Sequence, residues 1–408
     1  MTPDGSVLRV LLHGRRIATL TNVGGDRTLL AFEDDYVADP MRATLGLAFK
    51  GVEGGVAWRA GPTQRVLPPF FSNLLPEGPM RRYLAARAGV GEAREFFLLW
   101  MLGRDLPGAL VVEPADGDAL PPASVADADA RRPETALRFS LAGVQLKFSA
   151  LANDRRGGGL VIPAEGVGGS WIVKLPSQVF PGVPENEFAV MALARAVGID
   201  VPETRLVPLH AIEGLPGGLG ALRGPALAVE RFDRSDAGPV HIEDFAQVFG
   251  VFPERKYERA SYRRIAAVLA AEAGADAIAE FVRRLVFGTL VGNADMHLKN
   301  WSLVYPDRRT PRLAPAYDLV STIAYLPDGQ AALKYSRTRD MSGFDRSELS
   351  HLAAKALAPE AIVLEAARET VARFREAWAS EKGHLPLAPD VVAAIETHMR
   401  TIPLFHGR

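Results

Sequence analysis

The chain has 408 residues, of which 48% are hydrophobic and 23% charged, and a formal net charge of -1. This is a globular composition long enough for two or three domains, and the balanced charge argues against bulk electrostatic binding to nucleic acid or membrane while leaving room for a local basic patch. There is no cysteine, which excludes disulfides and thiolate metal sites.

The opening residues, MTPDGSVLRVLLHG, lack a basic segment followed by a long apolar run, so no signal peptide is expected. No apolar stretch approaches the ~20 residues of a membrane span, and a cytoplasmic location is the expectation. LRVLLHGRRIATL reads as two strands around a His13-Gly14 turn, and RTLLAFED as a third. A helix is predicted after Pro79 with Gly89 as its stop, then a second over EAREFFLLWML closed by Gly103. GALVVEP returns to strand. Residues 116–134, rich in Ala, Asp and Pro, read as a linker between an N-terminal subdomain (1–115) and the rest.

After the linker, LRFSLAGVQLKFSAL, GLVIP and SWIVKLP read as strands, with glycine turns at 157–159 and 166–169. PENEFAVMALARAVGID has the apolar spacing of an amphipathic helix ended by Gly198. TRLVPLHAI and PALAVERFDR are further strands. From Ile242 the chain reads as mostly helical, broken by WSLVY and the segment around Tyr317. The expected fold is α+β, with a β-rich lobe over 135–235 and a helical lobe over 236–408.

GNADMHLKN (292–300) interrupts this plan. An apolar helix ends in five polar residues, Asn293, Asp295, His297, Lys299 and Asn300, and the strand-like WSLVY follows at once. Asp295-x-x-x-x-Asn300, with Asp318 eighteen positions further on between apolar residues, has the parts phosphoryl transfer needs. One carboxylate accepts the proton of the attacking hydroxyl; an amide oxygen and a second carboxylate hold Mg²⁺ against the phosphates. Alone, the five-residue step is a weak pattern, because Asn, Asp and His also favour turns. Asp318 adds weight, since a carboxylate among Ala, Tyr, Leu and Val is costly to bury unless paired or metal-bound.

Lys174, ending the apolar strand SWIVK, has the texture of the strand lysine that holds non-reacting phosphates; the plain alternative is a solvated strand end. Glu187 in the next helix is either its ion-pair partner or a first-turn carboxylate favoured by the helix dipole. In FSLAGVQLKFS, backbone N–H groups near Ser140, Ala142 and Gly143 could approach an anion, although a single glycine also suits an ordinary hairpin.

Taken in order, FSLAGVQLK (139–147), IVKLP (172–176), ENEFAVMALARAVGIDVP (185–202), LAVERFDR (227–234), HIEDFAQVFG (241–250), GNADMHLKN (292–300) and AYDLVS (316–321) resemble the HipA family of bacterial toxin kinases. FFSNLLPEGPMR and LGRDLPGALVV extend the resemblance over nearly the whole chain. It implies a two-lobed Ser/Thr protein kinase using ATP and Mg²⁺, with an added N-terminal subdomain. Asp295 would be the catalytic base, and Asn300 and Asp318 the metal ligands. Ala142, Gly143, Val144, Gln145, Leu146 and Lys147 would form the phosphate loop. Lys174 would bind phosphates, His297 and Lys299 would line their side of the catalytic loop, and Tyr317 would stand with Asp318 at the nucleotide. Glu230, Arg231 and Phe232 would form the hinge touching adenine. Ser140 matches the family's autophosphorylated serine. Val144 and Leu146 depart from the small and polar residues often found at their positions.

The resemblance further implies a toxin paired with a helix-turn-helix antitoxin, with operator DNA contacted mainly through that partner. It implies a substrate in translation such as an aminoacyl-tRNA synthetase. A small-molecule phosphotransferase would use the same catalytic-loop logic, and a non-catalytic kinase-like binding protein is the reading from another class. The presence of Lys174, Asp295, Asn300 and Asp318 together disfavours the last.

Overall fold

The computed structural model describes residues 6–24, 27–58, 61–64, 66–115, 117, 146–153, 159–162, 168–177, 179–215, 219, 221–326 and 328–408. Its first unit is a five-stranded antiparallel sheet. Arg15–Asn22 lies at its centre, with Val7–Leu12 and then Leu110–Pro114 on one side and Arg27–Phe32 and then Thr63–Gln64 on the other. Leu8, Val10 and Leu12 alternate into the core, as the period of two requires. The His13-Gly14 turn has positive φ at both residues, the geometry of a tight hairpin whose twist matches its strands.

The helices Gly78–Ala88 and Glu95–Leu102 end at Gly89 and Gly103 as expected. Buried Glu95 ties this region together: it accepts hydrogen bonds from the Leu67 N–H and the Ser72 hydroxyl, both at 2.9 Å, and pairs with Arg81. The central linker residues lie outside the described residues, as do positions 138–145 and most of the glycine turns expected at 157–159 and 166–169.

The second sheet has six strands in the spatial order Ile212–Glu213, Gly159–Val161, Lys147–Asn153, Trp171–Lys174, Ala226–Glu230, Thr204–Val207. TRLVPLHAI is thus not one strand. Pro208, which has no N–H to give a ladder, begins a short 3₁₀ turn, and the two halves lie on opposite edges of the sheet. Trp171–Lys174 is flanked on both sides by antiparallel partners, so Lys174 emerges from the sheet's interior. Helix Val183–Val197 buries Val190, Met191, Leu193 and Val197, and Gly198 ends it.

The C-terminal part is helical but opens with a strand. His241–Asp244 pairs with Ser302–Tyr305, which pairs with Arg312–Leu313. Ser302–Tyr305 is the strand expected at WSLVY, whereas His241–Asp244 departs from the helical reading because its ladder partner lies far along the chain. Asp244 then starts the next helix through a capping box with Gln247. Tyr262–Glu272, Ala275–Leu290, Arg346–Ala356, Glu360–Glu381 and Pro389–Met399 build the rest. Their core centres on Phe281, Phe287, Phe344 and Phe374, all fully buried. The fold is α+β, and no described helix is long and apolar enough to cross a membrane.

Candidate active site

Helix Ala275–Leu290 runs directly into the polar turn. Gly292, at φ +68°, adopts a left-handed conformation that would strain other residues. Its carbonyl accepts the Thr322 and Ile323 N–H groups at 3.1 Å. The Thr322 hydroxyl accepts the Ala294 N–H at 2.7 Å, and Asn293 Oδ1 accepts the Asp295 N–H at 3.0 Å. Tyr262 donates to the Met296 carbonyl at 3.0 Å. Asn293 is therefore spent on shaping the turn, and the segment after Asp318 is stitched to its start.

Asp318 is where the expected site residues converge. Lys174 Nζ bonds Asp318 Oδ1 and Glu187 Oε1. Lys147 Nζ lies 3.2 Å from Asp318 Oδ2, and Asn300 Nδ2 lies 3.4 Å from the same oxygen. Lys174 and Glu187 are both buried. Burial alone would push the Asp318 carboxyl up, but Lys147 and Lys174 outweigh it and hold it well below the usual carboxylate range. Lys174 is disfavoured as a cation by burial, yet Asp318 and Glu187 hold its pKa above the ordinary lysine value. Burial pushes the Glu187 carboxyl up, with Asp318 adding to the rise and Lys174 opposing it. Asp318 itself sits at φ +54°. A non-glycine residue held there costs roughly 1–3 kcal/mol and persists only where the surroundings fix it.

Asn300 Oδ1 is buried without a hydrogen-bond partner. A bare amide oxygen whose own NH₂ reaches a carboxylate suits a hard divalent cation. Among the described residues no group of three or more His, Asp and Glu side chains is placed to hold a metal. A site completed by phosphate oxygens, as Mg²⁺ prefers, is the kind these two residues fit.

Asp295 faces the same cleft. Its Oδ1 accepts the Tyr257 hydroxyl at 2.6 Å. Solvent reaches the carboxylate through the cleft, but the surrounding protein still raises its pKa, with Tyr257 and Lys256 pulling the other way. Buried His297 meets the Tyr257 ring edge-on at 4.9 Å. Burial and then Lys256 push its pKa down to about 3, so it is a neutral imidazole at neutral pH. Lys299 turns toward the N-terminal sheet unit: its Nζ donates to the Asn73 carbonyl at 2.6 Å and lies 3.4 Å from Glu77 and 3.6 Å from Asp244.

At the other end of the cleft, the Arg231 guanidinium is taken up by a network with Asp233, Asp105 and Ser149. What Arg231 offers a ligand is its backbone. Phe232 and Tyr317 form a tilted ring pair at 5.7 Å, and the Tyr317 hydroxyl donates to the Lys299 carbonyl at 2.8 Å. Glu230 ends its strand, exposed. All these groups line one cleft of about 1780 Å³. Leu146 is buried in the sheet core. Ser140, Ala142, Gly143, Val144 and Gln145 lie outside the described residues, so Lys147 alone represents the side-chain end of the expected phosphate loop at the cleft.

Three contributors escaped the sequence reading. Asn186 clamps Ser321 through both its amide atoms, at 2.9 and 3.1 Å. Tyr257 reaches Asp295, and Glu77 pairs with Lys256 at 2.8 Å. Asn186 adjoins Glu187 and could have been singled out with it. Glu77 lies within FFSNLLPEGPMR but is given no role by it, and Tyr257 sits in a stretch with no recognisable spacing.

A sheet lobe and a helical lobe meeting at a cleft, with a buried strand lysine paired to a helix glutamate and a D-x-x-x-x-N loop facing a second aspartate, is the layout of a protein-kinase-like phosphotransferase. The model of the HipA N-terminal domain matches residues 8–113, and that of the HipA-like C-terminal domain matches residues 139–378. The chain belongs to the HipA family and is a serine/threonine kinase of it. A Sinorhizobium fredii protein named "Putative kinase Y4dM" is 58% identical over 404 residues, 99% of this chain and 98% of that one. The serine/threonine-protein kinase toxin HipA of Shewanella oneidensis is 30% identical over 302 residues, 64% of this chain and 65% of its own. The fold matches a Shewanella oneidensis structure of HipA, HipB and operator DNA, with TM-score 0.72 and 24% identity, covering 98% of this chain and 96% of that one.

Proposed function

We propose that the chain transfers the γ-phosphoryl group of ATP to a serine or threonine of a protein, as the toxin of a toxin–antitoxin pair. The observation that carries the chemistry is the convergence of Lys147, Lys174 and Asn300 on Asp318, with Asp295 opening onto the same cleft. In this reading Asp295 accepts the proton of the acceptor hydroxyl, and its raised pKa suits a general base. Asn300 Oδ1 and the Asp318 carboxylate hold Mg²⁺, which when bound neutralises charge developing on the phosphates. Lys174 and Lys147 hold phosphate oxygens, with the backbone of Ala142 to Leu146 as the phosphate loop. Glu230 to Phe232 form the hinge, Phe232 and Tyr317 give adenine an aromatic wall, and His297 and Lys299 keep the catalytic loop in shape.

The resemblance of the motifs and the Shewanella relative support the toxin role, a cytoplasmic setting and a helix-turn-helix antitoxin through which operator DNA is met. The resemblance of the motifs alone points to a substrate in translation, such as an aminoacyl-tRNA synthetase. Residues 1–115 serve as a partner-contacting subdomain, 116–134 as linker, and 135–235 and 236–408 as the two lobes. Ser140 is the autophosphorylation site: a phosphate there adds about -1.5 to -2 charges, enough to keep the phosphate loop out of an ATP site.

The deciding experiment is phosphoproteomics of a bacterial host expressing the chain, against an Asp295→Asn control, with phosphosite mapping of the purified protein. Removing a general base costs ~10²–10⁴ in rate, so phosphosites gained with the parent and lost with the control support the reading. Equal phosphorylation by both sinks it. A chain that releases ADP only with a small-molecule acceptor replaces it with the small-molecule phosphotransferase.

A further inference from the structure

We infer that Tyr257 is a positioning residue for the base, and that the N-terminal subdomain holds it in place through Glu77. The inference rests on the reading of Asp295 as that base.

The geometry runs through three contacts. The Tyr257 hydroxyl donates to Asp295 Oδ1 at 2.6 Å. No described residue hydrogen-bonds Oδ2, so one carboxylate oxygen is held and the other is left to accept a single incoming hydroxyl. An aspartate carboxylate turns broadly about its terminal torsion, and a catalytic base must stay within ~0.5 Å and 10–20° of its working geometry. Little else fixes this one: the Asp295 backbone is anchored by Asn293, but among the described residues its side chain hydrogen-bonds only Tyr257.

Tyr257 is itself braced. Its ring meets His297 edge-on, and its neighbour Lys256 pairs with Glu77 at 2.8 Å. Glu77 lies also 3.4 Å from Lys299, on the far end of the same loop. Burial pushes the Glu77 carboxyl up, but Lys299 and Lys256 pull it below its ordinary value, so it stays ionised. One carboxylate from the N-terminal subdomain therefore grips both the tyrosine segment and the catalytic loop. Asn73 adds a second grip, with its carbonyl on Lys299 and its amide NH₂ on the Val251 carbonyl at 2.7 Å. On this account the N-terminal subdomain, although it supplies no group to the reacting atoms, belongs to the catalytic apparatus.

The groups facing Asp295 are Tyr257 and Lys256 from the 250–260 segment, Lys147 from the sheet and Asp318 from the opposite turn. Tyr257 and the two lysines favour the charged carboxylate, while burial and Asp318 oppose it. Removing the tyrosine hydroxyl therefore leaves Asp295 harder to ionise.

The test is ADP release from MgATP by the full chain between pH 5 and 9, for the parent, Asp295→Asn, Tyr257→Phe and Glu77→Gln, with melting temperatures alongside. Tyr257→Phe is expected to move the acid limb up by about one pH unit, the size of one charge-assisted hydrogen bond, so the rate on that limb falls about tenfold and recovers toward alkaline pH. Glu77→Gln should move it the same way by less. A limb left where the parent's is, a uniform drop at every pH, or total loss with an unchanged melting temperature would each overturn the inference. Should Tyr257→Phe fail to fold, an unmoved limb in Glu77→Gln overturns it alone. An Asp295→Asn chain that still releases ADP at the parent rate overturns instead the assignment of the base.

Discussion

Asn300 and Asp318 meet with Nδ2 3.4 Å from Oδ2, while Asn300 Oδ1 is buried and has no hydrogen-bond partner. An unpaired buried amide oxygen costs about 1–3 kcal/mol. Its retention beside a carboxylate is accounted for if both oxygens face a cation that arrives with the nucleotide.

Asp318→Ala should therefore abolish nucleotide-dependent behaviour. Phosphoryl transfer is expected to fall at least about a hundredfold, and the rise in melting temperature that MgATP gives the parent should disappear. Chelating Mg²⁺ with EDTA should reproduce both effects in the parent. An Asp318→Ala chain that MgATP still stabilises would contradict the ligand assignment.

Lys174 separates two carboxylates in a buried setting, and removing one partner of such a cluster costs about 3–5 kcal/mol because the remaining charge is left without compensation. Lys174→Met should lose about that much in denaturant unfolding. Replacing the stranded partner as well, in Lys174→Met with Glu187→Leu, should recover most of the loss. Additive losses in the double variant would show that the pair is not the source.

Glu243 lies fully buried where the two halves of the chain meet. Its Oε1 accepts the Leu47 N–H at 2.9 Å and the Tyr305 hydroxyl, and its Oε2 has no partner. Burial pushes its pKa up to about 8. The folded chain then keeps a proton that the unfolded chain releases near pH 4.5, so this group's contribution is full below that pH and is lost as pH rises toward 8. Glu243→Gln stays neutral throughout and should flatten that part of the stability–pH curve. A curve as steep as the parent's between pH 5 and 8 would rule this out.

Arg231 joins the hinge to the N-terminal subdomain through Asp105 and to the following turn through Asp233. Arg231→Met should cost about 3 kcal/mol or more in stability, yet leave ATP affinity within a few-fold of the parent, because the guanidinium is committed to Asp233, Asp105 and Ser149. Binding calorimetry beside denaturation separates the two effects. A selective loss of ATP affinity would mean the side chain reaches the nucleotide after all.

Much of this protein is legible in short range along the chain. The hairpin at His13-Gly14, the helices ending at Gly89, Gly103 and Gly198, and the strand ending at Lys174 follow from alternation, helical spacing and stop residues, each a property of a few neighbours. The candidate loop could be read because Asp295, Asn300 and Asp318 lie within 24 consecutive residues, and because their polarity is out of place between core-building segments. What folding alone decided depends on separation in the chain. The strand His241–Asp244 needs Ser302–Tyr305 as its ladder, and TRLVPLHAI divides between two sheet edges because Pro208 cannot donate. Glu187, read as either a first-turn carboxylate or the ion-pair partner of Lys174, lies beyond the first turn, which holds Glu185, and pairs with Lys174. Tyr257 and Glu77 reach the catalytic loop from 38 and 222 residues away from Asp295 and Lys299. No local pattern marks such partners, since a hydrogen bond or ion pair across that distance exists only after the chain has folded.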